Sequence, residues 1–326
     1  MAWPTWRQAM EQALYGPEGF FRRERPIDHF RTSVHAGGLF AMAVGRLAEQ
    51  CGVRTVIDMG AGRGELLTAL AKGRPELDLL AVELAARPPG LPTAIGWFPE
   101  LPVGIGPALV IANEWLDNIP VEVVEVDGDG RPRIVHVDPS TGTETLGDPV
   151  GGADAEWLAT WWPLRGAEPG FRAEVGRARD SAWAGVVTNV RRAVLVAIDY
   201  SHTRDDRPPF GSLAAYQDGR SVRPVPDGTR DLTAHVALDS CAAAGEAAGA
   251  TGTVLTTQRH ALRRLGIDAG LPPRKLATSD PPAYVEALGR TSQAAELVDS
   301  AGLGGFTWLV QAVGTQGPAA LASLGR

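Results

Sequence analysis

Short uninterrupted apolar runs alternate with stretches of helical period along most of the chain, and that alternation sets the first expectations. Between Gly38 and Gln50 the residues Leu39, Phe40, Val44 and Leu47 fall on one face, which predicts an amphipathic helix. Arg54–Asp58 predicts a short buried strand that runs into Asp58-Met59-Gly60-Ala61-Gly62-Arg63-Gly64. Leu66, Leu67 and Leu70 then predict a helix, and Leu79–Glu83 a second strand ending in a carboxylate. This strand–loop–helix–strand order is a βαβ unit, and its continuously apolar strands imply a parallel sheet covered on both faces.

The same pattern predicts strands at Ala108–Ala112, Ala193–Asp199, Thr253–Thr257 and Thr307–Val313. It also predicts a hairpin of Val121–Val126 with Ile134–Val137 around Asp127-Gly128-Asp129-Gly130. Gly151 to Asn189 reads as helical, as do Leu238–Ala248 and Pro282–Asp299. Tyr15 to Gly19 reads as a turn, and Arg204–Pro226, rich in Pro, Gly and Asp, as a loop over the carboxyl ends of the strands. No internal repeat or coiled coil interrupts the order.

Composition narrows the class. The 326 residues suit one large domain or a domain with a lid, and the hydrophobic and charged shares, 44% and 21%, are those of a globular protein. A net charge of -7 argues against a broad phosphate-binding face and so against nucleic acid. No run of 18 apolar residues and no apolar stretch near the N-terminus points to a membrane. Two cysteines, Cys51 and Cys241, exclude a disulfide framework and fit a reducing cytosol, and the six scattered histidines show no metal-ligand spacing. Lys72 and Lys275 are the only lysines among 31 basic residues, a skew that fits the codon bias of a GC-rich bacterial genome.

The glycine loop is the strongest chemical signal. Glycines at 60, 62 and 64 let the backbone turn tightly and approach a ligand at the carboxyl end of a strand. Asp58, just ahead, suits a cationic amino-acid headgroup and would repel a pyrophosphate. Glu83, 19 residues after Gly64, is placed to accept both hydroxyls of a ribose. Together they favour S-adenosylmethionine over a nicotinamide dinucleotide. A bare tight turn beside a solvated strand end is the alternative.

After the Ala108–Ala112 run stands Asn113-Glu114-Trp115-Leu116-Asp117-Asn118-Ile119-Pro120. Asn113 faces the cofactor side, and Glu114 with Asp117 form a carboxylate pair able to hold a guanidinium or accept a proton from a nucleophile. Helix capping by Asn113, with Glu114 and Asp117 as first-turn charges, explains the same residues structurally. Tyr200 and His202 follow a predicted strand end and suit an acceptor pocket or ordinary loop packing. Asp231 and His235 are spaced to share a helical face, with His235 on the substrate side; Thr233 as a cap with His235 a satisfied structural histidine is the alternative. Trp157, Trp161 and Trp162 suit a core, or anchors for a protein partner.

Several of these segments resemble the MidA family, whose mitochondrial members assist complex I assembly by methylating an arginine. The matching pieces are Tyr15–Phe21, Phe30-Arg31-Thr32-Ser33, the Asp58 glycine loop, Asn113–Val121, Ile198-Asp199-Tyr200 and Asp231–Val236. The resemblance implies a class I, Rossmann-like methyltransferase fold: a doubly wound, mostly parallel seven-stranded sheet, a helical N-terminal lid over residues 1–50, and a cofactor-binding domain over 51–326 with a helical insertion around 151–190. It implies S-adenosyl-L-methionine as cofactor and a protein side chain, arginine above all, as acceptor. Two departures stand out: Val34-His35 where the family carries Pro-Glu, and Ser201-His202 where it carries Gly after Asp-Tyr. A small-molecule O- or N-methyltransferase, and an assembly factor that binds the cofactor without transfer, are the competing functions.

Overall fold

The computed structural model describes residues 3–23, 33–35 and 38–317. In chain order the strands are β1 (Thr55–Met59), β2 (Asp78–Val82), β3 (Gly96–Phe98), β4 (Ala108–Asn113), β5 (Glu122–Val126), β6 (Pro132–Val137), β7 (Glu144–Pro149), β8 (Arg172–Val175), β9 (Ala193–Asp199), β10 (Ser201–His202), β11 (Ala214–Gln217), β12 (Arg220–Val222), β13 (Asp231–Thr233), β14 (Val236–Ala237), β15 (Thr251–Thr257) and β16 (Thr307–Val313). They fall into two compact units. One gathers the described residues of Met1–Phe30, Trp115–Val186 and Asp199–Ala248, and the other those of Arg31–Glu114, Val187–Ile198 and Gly249–Arg326. The N-terminal fifty residues are therefore divided between units, where the sequence suggested a single lid segment.

The second of these units carries the expected seven-stranded sheet, in the order β15-β16-β9-β4-β1-β2-β3. The pairs β9–β4, β4–β1, β1–β2 and β2–β3 are parallel, and β15–β16 is antiparallel. Helix Gly38–Gln50 buries Leu39, Phe40, Val44 and Leu47, the face its periodicity predicted, and helix Glu65–Gly73 buries Leu66, Leu67 and Leu70. Both join one core with Val56, Leu109, Val196 and Trp308. Each such aliphatic side chain, once buried, contributes about 1.5–3 kcal/mol. That core is why β1, β2 and β4 hold their carboxyl ends in fixed register: Met59 lies opposite Val82 and Ala112.

The first unit is built on a four-stranded antiparallel sheet, β7-β6-β5-β8, and a three-stranded one, β12-β11-β13. The β5–β6 hairpin is the one expected around Asp127–Gly130. Helix Trp6–Tyr15 opens with a capping box, in which Thr5 Oγ1 accepts from the Gln8 N–H and the Gln8 side chain accepts from the Thr5 N–H. Its Trp6, Met10 and Leu14 pack with Val123, Val135 and Leu232.

Three expectations are corrected in this unit. The segment 151–190 is not continuously helical: helices Gly152–Trp161 and Arg177–Asn189 flank β8, whose residues pair with β5. Arg204–Pro226 is not an open loop, because β11 and β12 form a hairpin whose turn, Asp218-Gly219, has positive φ at both residues. Asp231 and His235 share no helical face: Asp231–Thr233 is a strand paired with β11, and β14 follows it. Trp157 and Trp162 are buried core residues of this unit, which takes them from a partner surface. No described helix is long and apolar enough to cross a membrane.

Candidate cofactor and acceptor sites

The glycine loop begins where β1 ends, and its backbone is tied to the neighbouring strand. Gly60 N–H and Ala61 N–H both donate to the carbonyl of Val82, at 2.9 and 3.3 Å. Gly64, at φ 79°, caps helix Glu65–Gly73, and Gly62 has φ 57°. L side chains disfavour this left-handed region, so the sequence answers a backbone demand with glycine.

Acidic groups gather around the loop. Glu83 Oε2 accepts from Gly62 N–H at 3.0 Å, and its Oε1 accepts from Ala85 N–H at 2.9 Å. Asp58 is only 5% exposed, and its carboxyl is pushed up to about 8, first by burial and then by the charges of Glu65 and Glu83. Glu65 escaped sequence reading because a first-turn acid looks like ordinary helix capping, and here it also accepts from Arg63 N–H at 3.1 Å. At the end of β4, Asn113 Nδ2 donates to Glu114 Oε1 at 2.9 Å, and Asn113 Oδ1 is buried with no hydrogen-bond partner among the described residues.

These groups fit a cationic nucleoside cofactor. Three carboxylates invite positive charge, the positive-φ glycines admit a ligand against the backbone, and the orphaned Asn113 oxygen wants a donor. Asp58, Gly60, Gly62, Gly64, Glu83 and Asn113 would hold it.

Glu114 is not a first-turn helix residue. It sits at φ 52°, a left-handed conformation rare for a non-glycine, in a turn rather than a helix. Its Oε1 also accepts from Ser33 N–H at 3.3 Å. Ser33 is in turn fixed by a buried hydroxyl–amide contact with Gln258. The other residues of the matched Phe30–Ser33 piece lie outside the described residues.

Asp117 belongs to the other unit and is 6% exposed. Its Oδ2 accepts from Thr233 Oγ1 at 2.9 Å, and burial raises its carboxyl above the ordinary range, against the opposing pull of Arg179. The carboxylate faces the interior, so a direct ionic contact with an acceptor gives way to a role in holding its own turn. Tyr200 and His235 do reach solvent. Their rings stack at 5.6 Å with 14° between planes, and Tyr200 is 41% exposed.

His202 is a correction. At 4% exposure it lies against Trp162, with ring centroids 4.6 Å apart, and its Nδ1 receives Arg207 Nη1 at 2.5 Å. Burial and Arg207 push its pKa down to about 3, so it is a neutral packing group with no face for substrate. Sequence reading also missed the buried Arg179 and gave Asp199 no role, although Asp199 Oδ2 accepts from Leu116 N–H at 3.3 Å.

The profile of an S-adenosyl-L-methionine-dependent methyltransferase family matches residues 40–256. Two solved structures from Burkholderia thailandensis share 26% identity with this chain at a TM-score of 0.79, covering 100% of it and 91% of theirs. Both are members of the COG1565 superfamily, one solved bound to S-adenosyl-homocysteine and the other in native form. No curated protein matches.

Proposed function

This chain belongs to that family of S-adenosyl-L-methionine-dependent methyltransferases, and from that premise we propose that it methylates a nitrogen of a protein side chain, arginine being favoured by the resemblance to the MidA family. Glu114 carries the proposal. It is an acid held by Asn113 and Ser33, at a backbone conformation that costs a non-glycine residue about 1–2 kcal/mol. Strain of this kind at a strand end is a mark of a working group, and a carboxylate pairs with a guanidinium through charge-assisted bonds. The low cysteine count supports a cytosolic setting.

When bound, the cofactor supplies an electrophilic methyl group on a sulfonium. The chain contributes position. Asp58 and Glu83 with the glycine backbone would hold the donor, and Glu114 would orient the acceptor nitrogen. Transfer of that methyl would leave the acceptor nitrogen with a proton to lose, and Glu114 is the carboxylate that would take it.

Incubation with methyl-labelled cofactor and lysate from a strain lacking the protein tests this. Label is expected in protein, as methylarginine after hydrolysis, and Glu114→Gln is expected to lower it about tenfold or more. Label confined to small molecules would overturn the acceptor class, and no label at all would leave cofactor binding without transfer.

A further inference from the structure

Arg179, in helix Arg177–Asn189, is 1% exposed and spends its guanidinium on backbone. Nη2 donates to the carbonyl of Asp117 at 2.6 Å and Nε to that of Ile119 at 3.2 Å. Nη1 donates to the carbonyls of Ala234 at 3.0 Å and His235 at 2.9 Å. The first pair belongs to the turn after β4 and the second to the segment between β13 and β14. Both are segments of the motif set, more than a hundred residues apart in sequence, and one planar fork ties them.

Stability alone gives little reason for such a residue. A buried charge costs several kcal/mol to desolvate, and apolar replacements of buried ionic groups are often neutral or better. What a guanidinium supplies is geometry: five donors in a rigid plane, always protonated. Its charge is balanced by the nearby carboxylates of Asp117, Asp199 and Glu174. Other contacts complete the frame. Thr233 Oγ1 bonds Asp117, Asp199 takes Leu116 N–H, and His235 N–H donates at 2.9 Å to Ser212 Oγ, which Glu174 holds.

We propose that Arg179 is a positioning residue for methyl transfer, which fixes the Asp117–Ile119 turn and the exposed Tyr200–His235 aromatic pair as one rigid surface that receives the protein acceptor. This rests on the methyltransferase reading with a protein acceptor. Arg179 touches no reacting atom, and acts through His235 and the turn.

The full-length chain with Arg179→Lys and Arg179→Met tests it. Both variants are expected to bind S-adenosyl-homocysteine as the native chain does by calorimetry. Amide exchange is expected to rise together at 116–119 and 231–236, and label transfer to lysate protein to fall at least tenfold. Asp117 faces Arg179, Thr233, Asp199 and Asp231, so loss of the positive charge in Arg179→Met moves the acid limb of the transfer rate to higher pH. Arg179→Lys keeps the charge and leaves that limb in place. Exchange rising in only one segment, or native transfer by Arg179→Lys, overturns the proposal. If the native chain transfers no label, the functional reading falls by itself, and the paired exchange still decides the clamp. Should both arginine variants fail to fold, Thr233→Val is used. Native exchange in both segments then supports the guanidinium as the clamp, and a joint rise assigns it to the Thr233–Asp117 bond instead.

Discussion

Glu83 accepts the backbone N–H of Gly62 at 3.0 Å, so the acid at the end of β2 and the glycine loop at the end of β1 are bonded to one another. The same carboxylate takes Ala85 N–H with its other oxygen. One residue thus sets the shape of the loop and offers the acidic edge that a ribose would meet.

Glu83→Ala is expected to weaken S-adenosyl-homocysteine binding by about tenfold or more, because hydrogen bonds to a charged group contribute about 1.5–3 kcal/mol each. Glu83→Gln keeps one acceptor oxygen and is expected to lose less. Calorimetry that finds equal affinity in the native chain and Glu83→Ala would remove Glu83 from the cofactor site.

Asp58 is expected to make cofactor binding depend on pH. Its carboxyl, raised to about 8 by burial and then by Glu65 and Glu83, is mostly protonated near neutrality. The ammonium of the ligand's amino-acid part would favour the carboxylate, so binding would expel a proton. Affinity for S-adenosyl-homocysteine is therefore expected to strengthen as pH rises toward 8 and to level off above it. Stability runs the other way. The folded chain holds a proton that the unfolded chain has lost, so the contribution present at low pH declines as pH climbs through about 8. Asp58→Asn should flatten both dependences. Calorimetry in buffers of different ionisation enthalpy measures the proton, and none released at neutral pH would defeat the assignment.

Two glycines separate folding from binding. A Cβ at Gly64 would lie 2.7 Å from Leu91 Cδ1, at φ 79°, whereas one at Gly62 would meet Glu65 alone among the described residues, at 3.7 Å. Gly62→Ala is expected to cost about 1–2 kcal/mol of stability from backbone conformation alone, yet to reduce cofactor affinity by a larger factor. Gly64→Ala adds a clash and is expected to melt lower than Gly62→Ala. Thermal melts with and without S-adenosyl-homocysteine compare the two, and a Gly62→Ala chain that keeps native affinity would show that no ligand approaches that backbone.

What was legible in the sequence was local. The β1 loop, the helix faces around Phe40 and Leu67 and the acid at Glu83 follow from spacing over a few residues, and the structure keeps each of them. The Asp218-Gly219 hairpin turn was equally local and carried a recognised signal, overlooked because the surrounding Pro and Gly suggested open loop. Asp231-Leu232-Thr233 was read with helical period although its burial is decided by pairing with β11, a partner far less visible than its own spacing. Arg179 was out of reach, since its meaning lies in carbonyls more than fifty residues away on either side. The division into two units was hidden for the same reason, because the chain enters each unit more than once.

His202 gives the last prediction, on stability at acid pH. Its pKa is lowered to about 3 in the folded chain, from an unfolded value near 6.5, because burial and the Arg207 charge oppose a second positive charge. Below about 6.5 the unfolded chain gains a proton that the folded chain refuses. Stability therefore falls as pH drops from about 6.5 toward 3, with a slope from this group of at most about 1.4 kcal/mol per pH unit. Arg207 keeps its other bonds, to the carbonyls of Trp161 and His202 and to Asp239, so a neutral side chain at 202 leaves it anchored. His202→Gln is expected to reduce the slope of unfolding free energy against pH in that window by up to one proton, while label transfer near neutral pH changes little. Denaturant titrations at a series of pH values measure the slope. A variant whose slope matches the native chain would show that His202 is protonated in the fold, and that its contact with Arg207 has been misread.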